Sequence, residues 1–248
     1  MAHRQAPSQC GGFFQTKSQS CYQMKDFATA LSLANMILGL FSIFCSFCQK
    51  PCGACWMLLS SFLLDMAVGT ITRHLSVCSK AVLELNDFAI FTTFGLASAL
   101  LLGVTGPLNS FLSTIYVLAT TFRLCFYSAS ERNPGLSSTY RGLPCPYASC
   151  VLASTSLLTK GNTFILSCMA SLMILFMMDQ SYYPHDKILE SESWKKMVYL
   201  GGIITLLLFP FSLTAFYCLV WSLSYIFFPD ALWGDEISLR LQNRHQGK

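Results

Sequence analysis

The sequence predicts an all-α fold, a polytopic membrane helix bundle with six to eight transmembrane helices and eight preferred. Of the 248 residues, 53% are hydrophobic and only 11% are charged, whereas a soluble domain carries about a quarter charged residues. The mean hydropathy is +0.50, and the apolar residues lie in long blocks instead of short alternating runs. This composition excludes a cytosolic enzyme, a disordered chain and a nucleic-acid-binding domain. We therefore expect the lipid bilayer, and no nucleic acid, as a partner.

Four apolar blocks follow one another in the first half of the chain. Each is about long enough, at 1.5 Å per residue, to cross a hydrocarbon core of about 30 Å. The third block is ended by the turn pair Gly106-Pro107. The four helices predicted from these blocks cover residues 27–47, 56–72, 88–102 and 111–127.

The second half of the chain leaves the number of helices open. Residues 146–159 and 163–178 are separated by Lys160, Gly161 and Asn162, which predicts either a hairpin of two short spans or one broken helix. Residues 198–228 are interrupted by Pro210, and this stretch is too long for one crossing and slightly short for two.

The placement of basic residues favours eight helices. If the N-terminus is cytosolic, all but Lys50 and Lys160 of the 16 Lys and Arg residues fall in the tails and connections on one side, as the positive-inside rule requires. We therefore predict three regions, with both termini cytosolic: a polar tail over 1–26, a transmembrane domain over 27–229 and a polar tail over 230–248.

Asp65 and Arg123 are two charges inside predicted spans, where an ionised side chain costs about 2.5–3.5 kcal/mol. One interpretation is a structural pair between the second and fourth helices. A functional interpretation comes from spacing, because Asp65 begins a set of residues on one face of the second helix, and a second set follows at the start of the third. These positions are Asp65, Val68, Gly69, Thr72 and Arg73, and then Val82, Asn86 and Ile90.

This spacing resembles the signature of CDP-alcohol phosphatidyltransferases, Asp-x2-Asp-Gly-x2-Ala-Arg-x8-Gly-x3-Asp-x3-Asp. The likeness is closest to the bacterial-type phosphatidylserine synthase branch and covers roughly the transmembrane domain. Agreement at several collinear sites is more specific than one short motif. Further similar segments are Asn35 with Gly39, residues 79–101, Tyr116-Val117-Leu118 with Arg123-Leu124, Gly142-Leu143-Pro144-x-Pro146 and, more weakly, Tyr183-Pro184 with Lys187.

The resemblance implies that, in this family, four carboxylates bind two divalent ions that hold the diphosphate of a CDP-lipid. It also implies that the last carboxylate deprotonates the attacking alcohol. Here Val68, Asn86 and Ile90 replace the second, third and fourth carboxylates. Valine and isoleucine cannot bind a metal or accept a proton, and an Asn oxygen binds a hard cation more weakly than a carboxylate. We therefore expect a pseudoenzyme with no catalytic residues and no cofactor. Only Asp65 and Asn86 remain as weak Mg²⁺ candidates, and Mg²⁺ is required only if the chain is an enzyme.

Glu84 and Asp87 are the nearest replacement carboxylates. On a regular α-helix they point about 200° and 100° away from Asn86, so irregular helix geometry would be needed to bring either one into the site. The residual motif thus consists of Asp65, Gly69 and Arg73.

Three arginines, Arg73, Arg123 and Arg141, are candidates for binding a lipid phosphate at the cytosolic interface. The alternative is that they are ordinary positive-inside flanks. Two other functions stay open: an active CDP-diacylglycerol-dependent phosphatidyltransferase that makes a phospholipid, and a transporter or channel-like protein with discontinuous helices around Gly161 and Pro210. The resemblance further implies the endoplasmic reticulum, a phospholipid or CDP-lipid ligand and a homodimer.

Four cysteines lie close together at the predicted turn between the first two helices, on the side assigned to the lumen. A zinc site normally separates its two Cys-x2-Cys pairs by more than three residues. The pattern therefore predicts free helix-end thiols or one disulfide more strongly than a metal site. These residues are Cys45, Cys48, Cys52 and Cys55.

Overall fold

The fold is that of a computed structural model, which describes residues 11–75, 80–103, 106–131, 139–184 and 193–229. Within these ranges the chain is helical except for two three-residue strands, so the prediction of an all-α fold is confirmed. The helices are α1 (Gly11–Phe47), α2 (Pro51–Leu75), α3 (Lys80–Ile90), α4 (Ser98–Leu101), α5 (Pro107–Glu131), α6 (Cys145–Leu158), α7 (Thr163–Met178), α8 (Ser193–Leu208) and α9 (Phe211–Phe227). A π-helical segment (Phe91–Ala97) joins α3 to α4, and the strands are β1 (Thr139–Arg141) and β2 (Tyr182–Pro184).

The turn between α1 and α2 is built by local backbone geometry. Gln49 adopts a left-handed conformation with φ 56°, and the N–H of Lys50 donates to the carbonyl of Cys45 at 2.9 Å. This bond satisfies a carbonyl that the end of α1 would otherwise leave unpaired. Pro51 then starts α2, where its missing N–H costs nothing.

The two uncertain stretches of the second half are both helix pairs. Lys160 and Gly161 have positive φ angles that end the turn after α6, and the side chain of Asn162 accepts hydrogen bonds from the N–H groups of Phe164 and Ile165 to cap α7. α8 and α9 also pack against each other. Thr214 Oγ1 donates to the carbonyl of Thr205 at 2.7 Å across the break at Pro210. Each stretch is therefore two helices and not one broken span.

Two features of the first half differ from the prediction. The backbone of α1 is helical from Gly11, so residues 11–26, expected to be a loose tail, extend the first helix. No proline interrupts that segment, and its Gln, Lys and Met residues favour helix. The third helix is also not regular, because the π-helical segment lies within it. Hydropathy and periodicity carry no signal for a π turn.

α6 is the centre of the bundle. Every residue from Cys145 to Ser156 is buried, and α6 packs against α2, α7 and α9. Its sequence is rich in Ala, Ser and Cys, and small side chains of this kind let helix backbones approach closely. Around this centre, large apolar side chains such as Phe44, Phe164 and Leu207 point outward and are exposed.

Two helices of the described ranges are long and apolar enough to cross a bilayer, Lys25–Phe47 and Pro51–Thr70. Three shorter apolar helices, α6, α7 and α9, accompany them. Eight spans therefore remain a prediction, although helical segments occupy all eight predicted positions.

A line of stacked aromatic rings, which we call the aromatic ladder, joins α2, α6 and α9. Its tightest step is the parallel stack of Tyr147 on Tyr225, with ring centroids 4.0 Å apart. Phe62 of α2 contacts the edges of both Tyr147, at 5.3 Å, and Trp221, at 5.2 Å. Edge-to-face and offset pairs of this kind stabilise a core beyond the area they bury. Tyr183 of β2 extends the ladder by stacking on Tyr225.

The two strands pair in antiparallel register, with Tyr140 opposite Tyr183. Gly142 follows β1 with φ +69°, and a Cβ at this position would lie 2.6 Å from the carbonyl oxygen of Met177. Only glycine fits such a position without strain. The segments around Gly142 and Tyr183, which resemble family sequences separately, are therefore adjacent in the fold.

Candidate functional site

Asn35 of α1 connects the helices that carry the motif positions. Its Nδ2 donates to Asp65 Oδ1 of α2 at 3.2 Å, and its Oδ1 accepts from the hydroxyl of Ser61. Its backbone carbonyl accepts from Thr93 Oγ1 of the π-helical segment at 3.1 Å. Asn35, Ser61 and Thr93 are fully buried, and Asp65 is 8% exposed. We call these four residues the Asn35 cluster.

Gly39 permits this close approach one helical turn along α1. A Cβ at Gly39 would lie 2.8 Å from the Cα of Thr93, closer than nonbonded carbon atoms pack. The resemblance at Asn35 and Gly39 therefore has a physical basis: the amide connects three elements, and the missing side chain lets them meet.

The motif positions of α3 also face α1. Asn86 Oδ1 accepts from Ser32 Oγ at 3.3 Å, and Val82 packs on Ala28. Ser32 and Asn35 are three residues apart, about 4.5 Å along the helix axis, so their partners Asn86 and Asp65 lie close together. Asp65 and Asn86, which the spacing assigns to one candidate site, thus both hydrogen-bond to α1.

The other two substituted positions, Val68 and Ile90, are apolar side chains in apolar surroundings. Val68 is fully buried, and Ile90 is half-buried against the main apolar core. α3 is a regular α-helix from Lys80 to Ile90, and the irregular geometry begins only at Phe91. The π-helical segment therefore does not turn the side chain of Glu84 or Asp87 toward Asn86.

Arg123 belongs to α5, and its guanidinium lies beside the N-terminal end of α6. It is 6% exposed, and its Nη1 approaches Cys145 Sγ at 3.9 Å. Cys145 is thus a polar neighbour of the Arg123 guanidinium. A direct pair between Arg123 and Asp65 stays a prediction.

Lys195 is a buried cation that the sequence interpretation counted only as a positive-inside residue. It is 4% exposed in the first turn of α8. Tyr199, one turn later, donates from its hydroxyl to the carbonyl of Leu63 at 3.1 Å, so Lys195 lies beside α2. The sequence does not predict the burial of Lys195, because the residues around it look like any charged end of a loop. The burial depends on the packing of α8 against α2.

Three arginines are the candidates for lipid binding. The side chains of Arg73 and Arg141 lie outside the described part of the structure, as do residues 185–192 with Lys187. Of the three candidates, Arg123 is the one whose surroundings are described.

A divalent-metal site of the family type does not fit the residues present. Asp65 is the single carboxylate left at the four motif positions, and one of its oxygens accepts from Asn35. Within the described ranges, no three or more His, Cys, Asp or Glu side chains are grouped to hold a metal ion. Hard cations such as Mg²⁺ are held by several oxygen ligands, which this site lacks.

The four cysteines of the α1–α2 turn do not converge on one point. Cys48 and Cys52 are exposed, Cys45 is half-buried, and Cys55 is fully buried. All four are free thiols in the structure. Their different environments do not match the tetrahedral set of thiolates that zinc requires.

The segment from the end of α7 to β2 carries two titratable groups, Asp179 and Tyr183. Hydrogen bonds from the Ser181 hydroxyl and the Gln180 N–H lower the pKa of Asp179. Burial, together with the negative charge of Asp179, raises the pKa of the Tyr183 phenol. Asp179 is therefore an ionised turn residue that fixes the loop before β2.

Known proteins resemble this chain at two levels. No protein-family model matches the chain. A mouse protein named transmembrane protein 269 is 69% identical over 219 residues, which cover 88% of this chain and 85% of the relative. The human protein of that name is 70% identical over 208 residues, covering 84% of this chain and all of the relative.

More distant similarity extends to a bacterial enzyme. The CDP-diacylglycerol–serine O-phosphatidyltransferase of Helicobacter pylori is 27% identical over 174 residues, which cover 65% of this chain and 73% of the enzyme. The same enzyme of a second strain is 26% identical over 144 residues. The resemblance to phosphatidylserine synthases is thus supported as a distant relationship, and the names of the mammalian relatives support an integral membrane protein.

Proposed function

The chain belongs to the transmembrane protein 269 family, and on that premise we propose that it is a catalytically inactive relative of phosphatidylserine synthase that binds phospholipid. The observation that carries the proposal is the use of the motif positions for internal packing. Asp65 accepts from Asn35, Asn86 accepts from Ser32, and Val68 is fully buried. A paired-metal site neutralises charge on phosphate oxygens, and Asp65 is the single carboxylate left at these positions to hold the metals.

The neighbouring carboxylates support the same conclusion. Glu84 is exposed on α3, and Asp87 lies about 100° around the regular helix from Asn86. A general base must lie within hydrogen-bond reach of the proton it removes. Both residues point away from the Asn86 side of α3.

Lipid binding is the function that the remaining chemistry favours. Arg123 is a buried cation beside Cys145 of α6, and Lys195 is a buried cation on α8, which packs against α2. A guanidinium binds phosphate oxygens through paired N–H donors, and an ammonium binds them as a point charge. A phospholipid phosphate at the cytosolic interface is the ligand that suits such groups in a membrane protein.

We extend the proposal to location and assembly. The distribution of basic residues supports cytosolic termini, and the distant likeness to lipid-synthesising enzymes supports the endoplasmic reticulum and a homodimer. Phospholipid and bilayer, with no nucleic acid, are the partners expected from this arrangement.

The activity test uses full-length protein purified in detergent with Mg²⁺ or Mn²⁺. We expect no transfer of the phosphatidyl group from CDP-diacylglycerol to labelled serine, for either the wild-type protein or Asp65→Asn. Metal-dependent transfer by the wild-type protein that is lost in Asp65→Asn would instead establish the active phosphatidyltransferase.

The metal argument is tested by adding one carboxylate. Asn86→Asp places a second acid close to Asp65, and we expect Mg²⁺ to raise the thermal unfolding midpoint of this variant but not of the wild-type protein. Asn109→Asp, which changes the same side chain at the start of α5, is the matched control. A Mg²⁺ effect on the wild-type protein equal to that on Asn86→Asp would contradict the proposal.

The lipid test measures phospholipids that co-purify with the protein, by native mass spectrometry and lipid extraction. Arg123→Lys keeps the charge but removes the guanidinium fork, and we expect it to lose a large part of the bound phospholipid, with a further loss in the double variant Arg73→Ala/Arg123→Lys. Lys50→Ala, at the exposed α1–α2 turn, should retain the wild-type amount. Unchanged lipid in the double variant would refute phosphate binding by these arginines.

A further inference from the structure

Two cysteines face each other inside the bundle, between the central helix α6 and the last helix α9. Cys150 is 1% exposed and Cys218 is fully buried. The thiol of Cys150 lies 3.7 Å from the backbone carbonyl oxygen of Cys218, so the two residues are in contact where α6 meets α9. The proposed lipid-binding function uses neither residue.

We propose that Cys150 and Cys218 form a latent disulfide that closes when a membrane-soluble peroxide reaches the bundle core. In the first step, one thiol attacks the O–O bond of the peroxide, which gives a sulfenic acid and releases an alcohol. In the second step, the other thiol attacks the sulfenic sulfur, which forms the S–S bond and releases water. Two thiols are oxidised by two electrons, and one peroxide is reduced.

Geometry selects this pair. A disulfide forms only between cysteines whose Cβ atoms are about 3.5–4.5 Å apart, and a thiol that already lies 3.7 Å from the backbone carbonyl of the other cysteine needs only a small movement to reach its sulfur. The helices around them are held by the stack of Tyr147 on Tyr225, one to two turns away on the same two helices. The core therefore keeps the thiols adjacent while a small uncharged oxidant enters.

Two other thiols of the described helices lie in a different environment. Cys125 of α5 and Cys168 of α7 are exposed on the outer surface, where oxidation leads to sulfenic and higher acids instead of an internal bond. They serve as built-in controls for oxidant exposure.

Closure would link two cysteines that are 68 residues apart in the chain. A cross-link over a long loop constrains the unfolded ensemble, so the oxidised protein should unfold at a temperature several degrees higher. Oxidation would thereby make the core of the bundle more rigid without altering the cytosolic end.

The test uses full-length wild-type protein in lipid nanodiscs, treated with cumene hydroperoxide, then denatured, alkylated with N-ethylmaleimide and digested. We expect a Cys150–Cys218 cross-linked peptide, loss of the alkylated forms of both residues, and reversal by dithiothreitol. Cys150→Ser and Cys218→Ser should each abolish the cross-linked peptide and the rise in unfolding temperature. Cys168→Ser, the matched control, should retain both.

Two outcomes would overturn the proposal. One is full alkylation of Cys150 and Cys218 at peroxide doses that have already oxidised Cys125 and Cys168. The other is a cross-link that forms equally well when the protein is oxidised after denaturation, since the native contact would then not direct it. Mapping of the wild-type protein decides both, even if a serine variant fails to fold.

Discussion

The two sides of the bundle are held together by different chemistry. On the side of α1, buried polar groups join the helices. Asn35, for example, connects α1 with both α2 and the π-helical segment. On the side of α9, the aromatic ladder and small side chains join α2, α6 and α9. The first side holds the motif positions Asp65 and Asn86, which accept hydrogen bonds from side chains of α1. The comparison shows that one bundle can be joined by buried polar groups on one side and by aromatic packing on the other.

The largest expected effect comes from the aromatic side. Phe62→Ala removes the ring that contacts both Tyr147 and Trp221 and leaves a cavity, so we expect a loss of about 3–5 kcal/mol in the free energy of unfolding. Unfolding in mixed micelles, followed by tryptophan fluorescence, measures it. Phe216→Ala is the control, because Phe216 is 57% exposed on the outer face of α9. Equal effects of the two changes would show that the ladder does not stabilise the core.

A smaller effect is expected where α1 meets the π-helical segment. Gly39→Ala places a methyl group 2.8 Å from the Cα of Thr93, and such overpacking costs about 1–3 kcal/mol. Gly106→Ala is the matched control, since nothing lies within 4 Å of its Cβ position. If both variants unfold at the same temperature, α1 is not packed as closely as described.

The Asn35 cluster should respond more weakly than the ladder. Asn35→Ala removes the donor to Asp65 and the acceptor for Ser61, and we expect a loss of about 1–2 kcal/mol, because polar contacts between membrane helices contribute modestly. The double variant Asn35→Ala/Asp65→Asn should be less destabilised than the sum of the two single variants. Strict additivity would mean that the two side chains do not interact.

An engineered disulfide tests the orientation of the α1–α2 turn without a large change in stability. A Cβ at Gly53 lies 3.8 Å from the Cβ of Cys45, which matches disulfide geometry. Gly53→Cys should therefore cross-link to Cys45 in cells if the turn faces an oxidising lumen. Mass spectrometry of the alkylated protein detects the linked peptide, and Gly53→Cys/Cys45→Ser is the control. Free thiols at both positions would place the turn in the cytosol.

The smallest effect concerns the turn before β2. The pKa of Asp179 is lower in the folded protein than its ordinary value of 3.8, so its ionised form stabilises the fold above that pH, and this contribution is lost as the pH falls below it. Asp179→Asn should lower the unfolding midpoint slightly at pH 7, and this difference should fade as the pH falls through the lowered pKa of Asp179. A difference that persists at acid pH would point to a cause other than charge.

The sequence predicts the architecture well where signals are local. The end of α1 at Phe47, the turn at Gly106-Pro107 and the full extent of α7 follow from apolar length and turn residues. Asn35, Gly39 and Asp65 followed from the resemblance or from the cost of a charge in lipid, and the structure brings all three to one place.

What the sequence does not predict depends on contacts between distant segments. Ser32, Ser61 and Thr93 are ordinary small polar residues until α1 lies against α2 and the π-helical segment. The burial of Lys195 and the ladder step between Tyr147 and Tyr225 depend in the same way on which helices are neighbours. Periodicity reports the face of a helix, but not what that face meets.

The π-helical segment affects how the sequence of this protein can diverge during evolution. Each of its turns takes up one residue more than an α turn, so it resets the rotational phase between Asn86, which precedes it, and Ser98, which follows. The face of α3 that meets α1 and the face of α4 that carries Ser98 to its partner Ser149 are therefore set separately. A homologue that has shed the extra residue should align here with a single-residue gap, and that gap would mark the point at which the two ends of the helix evolve independently.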